Sequence, residues 1–292
     1  MGLKFSEMLS IIIPTHHRPN LLIRAVGSAL SSCAASDEVL VVADRDPGAR
    51  AVLVRWTDDP RVKVLDNTGQ GGASDTRNLG VAAATGDTVP FLDDDDALVP
   101  GYADRVRAIT TATWGFGSQI IRQDGDENTA LTPRPDLKGG VAGEWVPFRR
   151  KIAALGAGLW VRRSLFNAVG GLSCDQRIDE DTDLCCRLLA AGHQPWIEPH
   201  PAMIIDRLVE TPRLTSSTDA ETRAICYLRT FQRNIASLKH ERGAAAFLAF
   251  RAQRMILRSK RHDLLEHLYK DVPGFHLKAL LRAKHLVKRV KV

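Results

Sequence analysis

Thr88-Val89-Pro90-Phe91-Leu92-Asp93-Asp94-Asp95-Asp96 is the stretch on which the fold turns. A short apolar run passes straight into four adjacent carboxylates. The run reads as a buried strand, because its length and bulky side chains suit one and no helical periodicity is present. Four neighbouring carboxylates repel one another, so a chain that aims them at one place needs a compensating cation. Hard oxygen donors of this kind suit Mg²⁺ or Mn²⁺, usually shared with substrate phosphates.

Upstream, the same pattern repeats. Leu9–Ile13, Glu38–Val42 and Val62–Leu65 read as three more strands, and helical stretches are expected from Pro19, from Gly48 to Trp56 and after Gly71-Gly72. Strands that are apolar throughout, separated by helices, predict a parallel sheet covered on both faces, an α/β fold. Ligands bind such sheets at the carboxyl ends of the strands. Three of those ends are polar: Thr15-His16-His17-Arg18, Asp44-Arg45-Asp46 and Asp93 to Asp96. They are expected to converge on one site. Downstream, residues 122–145 read as a surface loop or excursion and Ile178 to Ala191 as a helix. From Ser217 onward the chain reads as helical, with Ser217 or Thr218 as a cap and helices over about 244–269 and 275–291.

Composition narrows the function classes. The 292 residues are 44% hydrophobic and 25% charged, an ordinary globular mixture that argues against disorder. No apolar run approaches the roughly 18–20 residues that span a bilayer. The five cysteines fall in no metal-ligand spacing, which predicts a reducing, cytoplasmic setting. The net charge of +6 is uneven: residues 239–292 carry +10 and the rest −4. A basic end points to an anionic partner. In the tail, Leu277, Leu280, Leu281, Val287 and Val290 fall near one helical face, with Lys278, Arg282, Lys288, Arg289 and Lys291 largely outside it. That pattern fits either a helix lying on an anionic membrane or one packed on the body with its basic face in water. The tail has few aromatics for stacking, so no nucleic acid is expected. Gly69 to Ser74 partly mimics a dinucleotide fingerprint, but it follows the third strand and lacks the last glycine.

With these stretches in place, the sequence resembles the family 2 glycosyltransferases of GT-A fold over about residues 9–210. Ser10–Arg18 looks like their opening strand and turn, and Glu38–Asp46 like their second strand with its base-reading aspartate. Gly71–Gly86 looks like their Arg-Asn-x-Gly helix and Phe91–Asp96 like their Leu-Asp-x-Asp-Asp metal motif. Gly170-Gly171-Leu172, with Glu180-Asp181-Thr182-Asp183-Leu184, looks like their acceptor-side motif. The resemblance implies a mostly parallel sheet flanked by helices. Residues 1–210 would form the transferase domain, with a nucleotide-binding half to about residue 100 and an acceptor half over 101–210. Residues 211–292 would form a basic C-terminal helical extension.

The implied activity is inverting, non-processive and metal-dependent. One sugar would pass from a nucleoside-diphosphate sugar, UDP being the first guess, to a glycan or lipid-linked acceptor in cell-surface polysaccharide synthesis. The implied cofactor is Mn²⁺ or Mg²⁺, held by Asp95 and Asp93. Asp94 lies between these two. Thr15, Arg18 and Arg77 would border the nucleotide, His16 would stack on its base and Asp44 would accept a hydrogen bond from that base. Asp181 is the expected general base, with Glu180 or Asp183 as alternatives. The metal-completing His of many relatives has no clear counterpart, His200 being nearest, and Trp145 and Trp160 are candidates for an acceptor groove. A nucleotidyltransferase on a similar sheet and a non-catalytic nucleotide-binding protein are the competing readings.

Overall fold

The computed structural model describes residues 8–123, 126–132, 139–207 and 217–290. Strands β1 (Ser10–Thr15), β2 (Glu38–Asp44) and β3 (Val62–Asn67) form a parallel sheet in the order β1-β2-β3. Helix α1 (Pro19–Ser32) follows β1. Helix α2 (Gly48–Val52) and a 3₁₀ turn (Val54–Trp56) follow β2. Helix α3 (Ala73–Ala83) follows β3. Burial on both faces is visible residue by residue. Ile11, Ile13, Val39 and Val41 join one hydrophobic cluster with Leu22 and Val26 of α1, while Ile12, Leu40 and Val42 join another with Val81 of α3. That is why these strands are apolar without alternation. Glu38 anchors the amino-terminal edge: burial pushes its carboxyl up, but Lys63 at 2.6 Å, Ser10 and Thr85 outweigh that and hold it at about 2.

The acidic run lies just beyond β4 (Thr88–Pro90). Isolated parallel bridges Leu9↔Thr88 and Ile12↔Phe91 join this segment to β1. Here the second sheet begins, in the order β4-β9-β6-β10-β5. It contains β5 (Asp96–Leu98), β6 (Trp114–Gln123), β9 (Trp160–Arg162) and β10 (Trp196–Arg207), with β7 (Asp126–Thr132) on β6 and β8 (Gly140–Val141) on β10. Helices α4 (Tyr102–Ala108), α5 (Phe148–Lys151), α6 (Arg163–Ala168) and α7 (Glu180–Ala190) connect these strands. The α/β architecture expected from sequence is present, with sheets flanked by helices. Parallel pairing dominates the first half and antiparallel pairing the second, apart from the parallel β6–β10 pair.

Three local expectations need correcting. Residues 122–145 are not simply a loop or excursion, because within them the end of β6 pairs antiparallel with β7 and β8 pairs with β10. The helical stretch over 244–269 is two helices, α9 (Ala244–Arg258) and α10 (Asp263–Asp271), broken where Lys260 takes a left-handed φ of 59°. The cap of α8 (Ala220–Asn234) is Asp219, not Ser217 or Thr218; its carboxylate accepts from the Thr222 backbone N–H at 2.8 Å.

The extension from residue 217 is built into the body. Leu228 and Phe231 of α8, Leu248 and Ile256 of α9, and Leu281 of α11 (Phe275–Val290) share a cluster with Phe91 and Trp114 of the two sheets. A buried ion pair, Lys151 Nζ to Glu241 Oε2 at 2.8 Å, ties α5 to the turn between α8 and α9. The segment 208–216, which contains the expected 210/211 boundary, lies outside the described residues. So do the side chains of Val287, Lys288, Arg289 and Val290, and residue Lys291.

Candidate functional site

The carboxyl ends of β1, β2 and the β4 segment open into a cleft of about 1040 Å³, lined on its other side by residues 149–156 and 174–182. The acidic run leaves its strand as a turn, with the Asp96 N–H donating to the Asp93 carbonyl at 3.1 Å. The turn splits the four carboxylates. Asp93, Asp95 and Asp96 each bring a carboxylate oxygen within 4.8 Å of the others. Asp94 points back to the first strand. It accepts from Thr15 Oγ1 at 2.9 Å and from Arg18 at 3.3 Å. Burial raises the Asp94 carboxyl to about 6, against the pull of Arg18 and Thr15. Arg18 also reaches Asp95 Oδ2 at 3.2 Å. Thr15, His16, Arg18 and all four aspartates line the cleft.

Asp44 ends β2 in the same cleft. Its Oδ2 accepts the Gly72 N–H at 2.7 Å. Its Oδ1 is buried and accepts nothing from the described residues. Gly71 must be glycine here: its φ is 78°, and a Cβ would stand 2.8 Å from Asp44 Oδ1. His16 bonds the Asp44 carbonyl through Nδ1 at 2.8 Å. The His17 backbone N–H donates to Asp46 Oδ2 at 2.7 Å.

Arg77, only 6% exposed, links the two sides of the cleft. It donates to Asp93 Oδ1 at 2.5 Å and to Glu180 Oε1 at 3.4 Å. Glu180 and Asp181 both line the cleft, and burial pushes both carboxyls upward. Asp181 further raises Glu180 and Asp179 further raises Asp181, while Arg77 and Arg251 respectively oppose. Asp181 Oδ1 accepts from the Thr182 N–H at 2.6 Å. Asp183 differs from both. It is fully buried, and its carboxylate is occupied by Ser173 (2.7 Å), Asn234 (2.8 Å) and Arg187 (3.0 Å).

Several candidates stand elsewhere. His200 is an exposed residue on the irregular part of β10, 4.0 Å from Glu198, and does not line the cleft. Trp160 is core and Trp145, 76% exposed, lies outside the cleft. Asp96, the last member of the acidic run, completes the carboxylate cluster through the turn. Two further contributors escape a reading of the sequence. Asn78 clamps Leu172 by donating to its carbonyl at 2.8 Å and accepting its N–H at 2.9 Å, which joins α3 to the Gly170-Gly171 turn. Arg251 of α9 reaches the loop before α7.

This arrangement joins an oxygen-donor cluster beneath one end of a cleft to partly protonatable carboxylates at the other. The family model for glycosyl transferase family 2 matches residues 10–128, which span the first strand through the acidic run.

Over that span the chain carries a glycosyltransferase family 2 domain.

It is therefore a glycosyltransferase, which displaces the nucleotidyltransferase and non-catalytic readings. It is 34% identical over 213 residues to the succinoglycan biosynthesis protein ExoO of Rhizobium meliloti, which covers 67% of this chain and 60% of that one. Among solved structures, S. aureus TarS residues 1–349 with UDP-GlcNAc aligns at a TM-score of 0.71 and 16% identity, over 91% of this chain and 82% of that one. The mannosyltransferase PcManGT of Pyrobaculum calidifontis, in complex with GDP-Man and Mn²⁺, aligns at 0.60 and 18% identity, over 96% and 79%. At these identities the two structures speak to the fold, and the GT-A-like architecture is common to all three chains.

Proposed function

We propose that this family 2 glycosyltransferase moves one sugar, with inversion, from a nucleoside-diphosphate sugar to a hydroxyl of a glycan or lipid-linked acceptor in polysaccharide synthesis. The observation that carries this reading is the Arg77 bridge. One guanidinium holds Asp93 of the oxygen cluster and Glu180 of the acceptor-side loop, so donor and acceptor groups face a single cleft. ExoO, a relative by sequence, is named for succinoglycan biosynthesis, which supports the polysaccharide role.

The donor set of Asp93, Asp95 and Asp96 is chemically suited to Mg²⁺ or Mn²⁺, and these residues would hold the ion. Bound there, a divalent cation neutralises charge on a leaving diphosphate. PcManGT with GDP-Man and Mn²⁺ is a fold neighbour, in keeping with this chemistry. Asp44 Oδ1, a buried acceptor beside Gly71, suits an N–H of the nucleobase, and UDP is the first donor to test. His16 borders the same end. Thr15 and Asp94 brace Arg18 against the acidic turn, and Arg77 balances charge at the cleft centre.

Asp181 takes the proton from the acceptor hydroxyl as that oxygen attacks the anomeric carbon and the nucleoside diphosphate leaves from the opposite face. Its raised affinity for a proton suits that task. Glu180, held by Arg77, shapes the charge around Asp181; Asp183, saturated by three donors, is a structural anchor. The acceptor would be met at the cytoplasmic face of a membrane.

The test is nucleoside diphosphate release from UDP-GlcNAc, UDP-glucose and GDP-mannose with Mn²⁺. Asp95→Ala and Asp181→Asn are each expected to lose at least about 100-fold in turnover. Unchanged turnover in both variants would sink the assignment.

A further inference from the structure

Arg251 stands on α9, in the helical extension and 69 residues from the nearest catalytic-loop group it touches, Thr182. Its guanidinium donates to Asp179 Oδ1 at 2.7 Å and to Thr182 Oγ1 at 3.1 Å. The guanidinium lies over the rings of Tyr227 at 4.5 Å and Phe247 at 5.2 Å, which fix its plane. Thr182 passes the contact on. Its hydroxyl accepts from Arg251 and reaches Asp181 Oδ1 at 3.3 Å, beside its backbone N–H at 2.6 Å, and the same hydroxyl also meets Asp179. Both donors converge on Oδ1. Asp181 Oδ2 accepts no hydrogen bond from the described residues and is left to face an acceptor hydroxyl. Arg251 also braces the start of α7, because Asp179 has a left-handed φ of 68° at the helix cap.

We propose that Arg251 is a positioning residue for Asp181, acting through Thr182, so that the C-terminal extension is part of the catalytic apparatus. The proposal rests on the assignment of Asp181 as the base. The relay lies wholly outside residues 10–128, the span that matches the family model. The charged groups facing Asp181 are Asp179 and Glu180 from its own segment, Arg77 from α3 and Arg251 from α9. Of these, Arg251 is the cation that also bonds the Thr182 hydroxyl. Removing it therefore loosens the Asp181 carboxylate and favours its protonated form.

The experiment compares Arg251→Met, Arg251→Lys, Thr182→Val and Asp181→Asn with the wild-type chain. Met keeps the long stem against the two rings, so packing survives, and thermal melting confirms that each variant is folded. Turnover is read with the fastest of UDP-GlcNAc, UDP-glucose and GDP-mannose. The pH dependence of Asp181 is read independently by carboxyl ¹³C NMR, which needs no substrate. Arg251→Met is expected to lower kcat about 10–100-fold with little change in donor KM. The acid limb and the Asp181 titration should move to higher pH. Arg251→Lys restores the titration and part of kcat, while Thr182→Val lowers kcat and combines non-additively with Arg251→Met. A folded Arg251→Met with wild-type kcat and an unmoved Asp181 titration, beside an inactive Asp181→Asn, overturns the positioning role and leaves the base assignment standing. An active Asp181→Asn overturns both.

Discussion

Three carboxylates share the first turn of α7, and their surroundings give them different tasks. Asp183 is bonded on both oxygens and fully buried, while Glu180 and Asp181 keep edges in the cleft and hold their protons more tightly than ordinary carboxyls. A base works only when ionised. Because burial raises the folded-state affinity for the proton, activity should fall as pH drops through a value above the usual carboxylate range, near 4, and be full above it. A pH profile of kcat checks this; an acid limb at or below pH 4 would assign the base elsewhere. The sequence points to Asp93 and Asp95 because acids at the end of an apolar strand mark a ligand edge, and to Glu180 and Asp181 only through the resemblance of 180–184 to the family's acceptor-side motif. It leaves Glu180 and Asp183 as alternatives to Asp181, since what sets Asp183 apart is its bonding to Arg187 and to Ser173 and Asn234, which arrive from other segments. Arg251 is unreadable for the same reason: on its own helix it is one basic residue among several.

Helix α3 lies close on the first sheet, and Gly80 sets that closeness. A Cβ there would meet Ile12 Cγ2 at 2.6 Å and Val42 Cγ2 at 3.0 Å. Both partners are fully buried, so neither yields easily. Gly80→Ala should therefore cost about 1–3 kcal/mol, offset in part by better helix propensity, and displace Arg77 and Asn78 one turn earlier. Chemical unfolding measures the loss, and a gain in stability would show that the helix can lift at no cost. The elements of the first hundred residues are legible because each strand is apolar throughout and each helix opens on proline or glycine. The second sheet is harder to read. β5, β8 and β9 have only two or three residues each, and their pairing across long sequence separations leaves no periodic trace.

At the scale of the molecule, the transferase half and the C-terminal helices close on one cleft. Helix α11 docks through Leu277 and Leu281, and the buried Gln253 donates to the Leu281 carbonyl at 2.7 Å. Yet Phe275 is 81% exposed and Leu280 48%, near Lys278, Arg282 and Lys284. Among the described residues no helix is long and apolar enough to cross a membrane. A docked helix that still shows apolar and basic side chains suits contact with an anionic lipid surface. Sedimentation with phosphatidylglycerol vesicles is expected to capture the chain, to weaken with salt and to fail for Phe275→Asp with Leu280→Asp. Equal capture by neutral phosphatidylcholine vesicles would contradict the electrostatic part. On this reading the acidic turn and Asp44 together hold a nucleoside diphosphate with a divalent cation. Calorimetric titration of UDP and GDP, each with and without Mn²⁺, into the wild-type chain and Asp95→Ala tests it most directly. One nucleotide is expected to bind the wild-type chain with Mn²⁺, at least about tenfold more weakly without it, and the Mn²⁺ dependence to disappear in Asp95→Ala. Binding that ignores both the ion and Asp95, or no binding of either nucleotide to the folded chain, would contradict it.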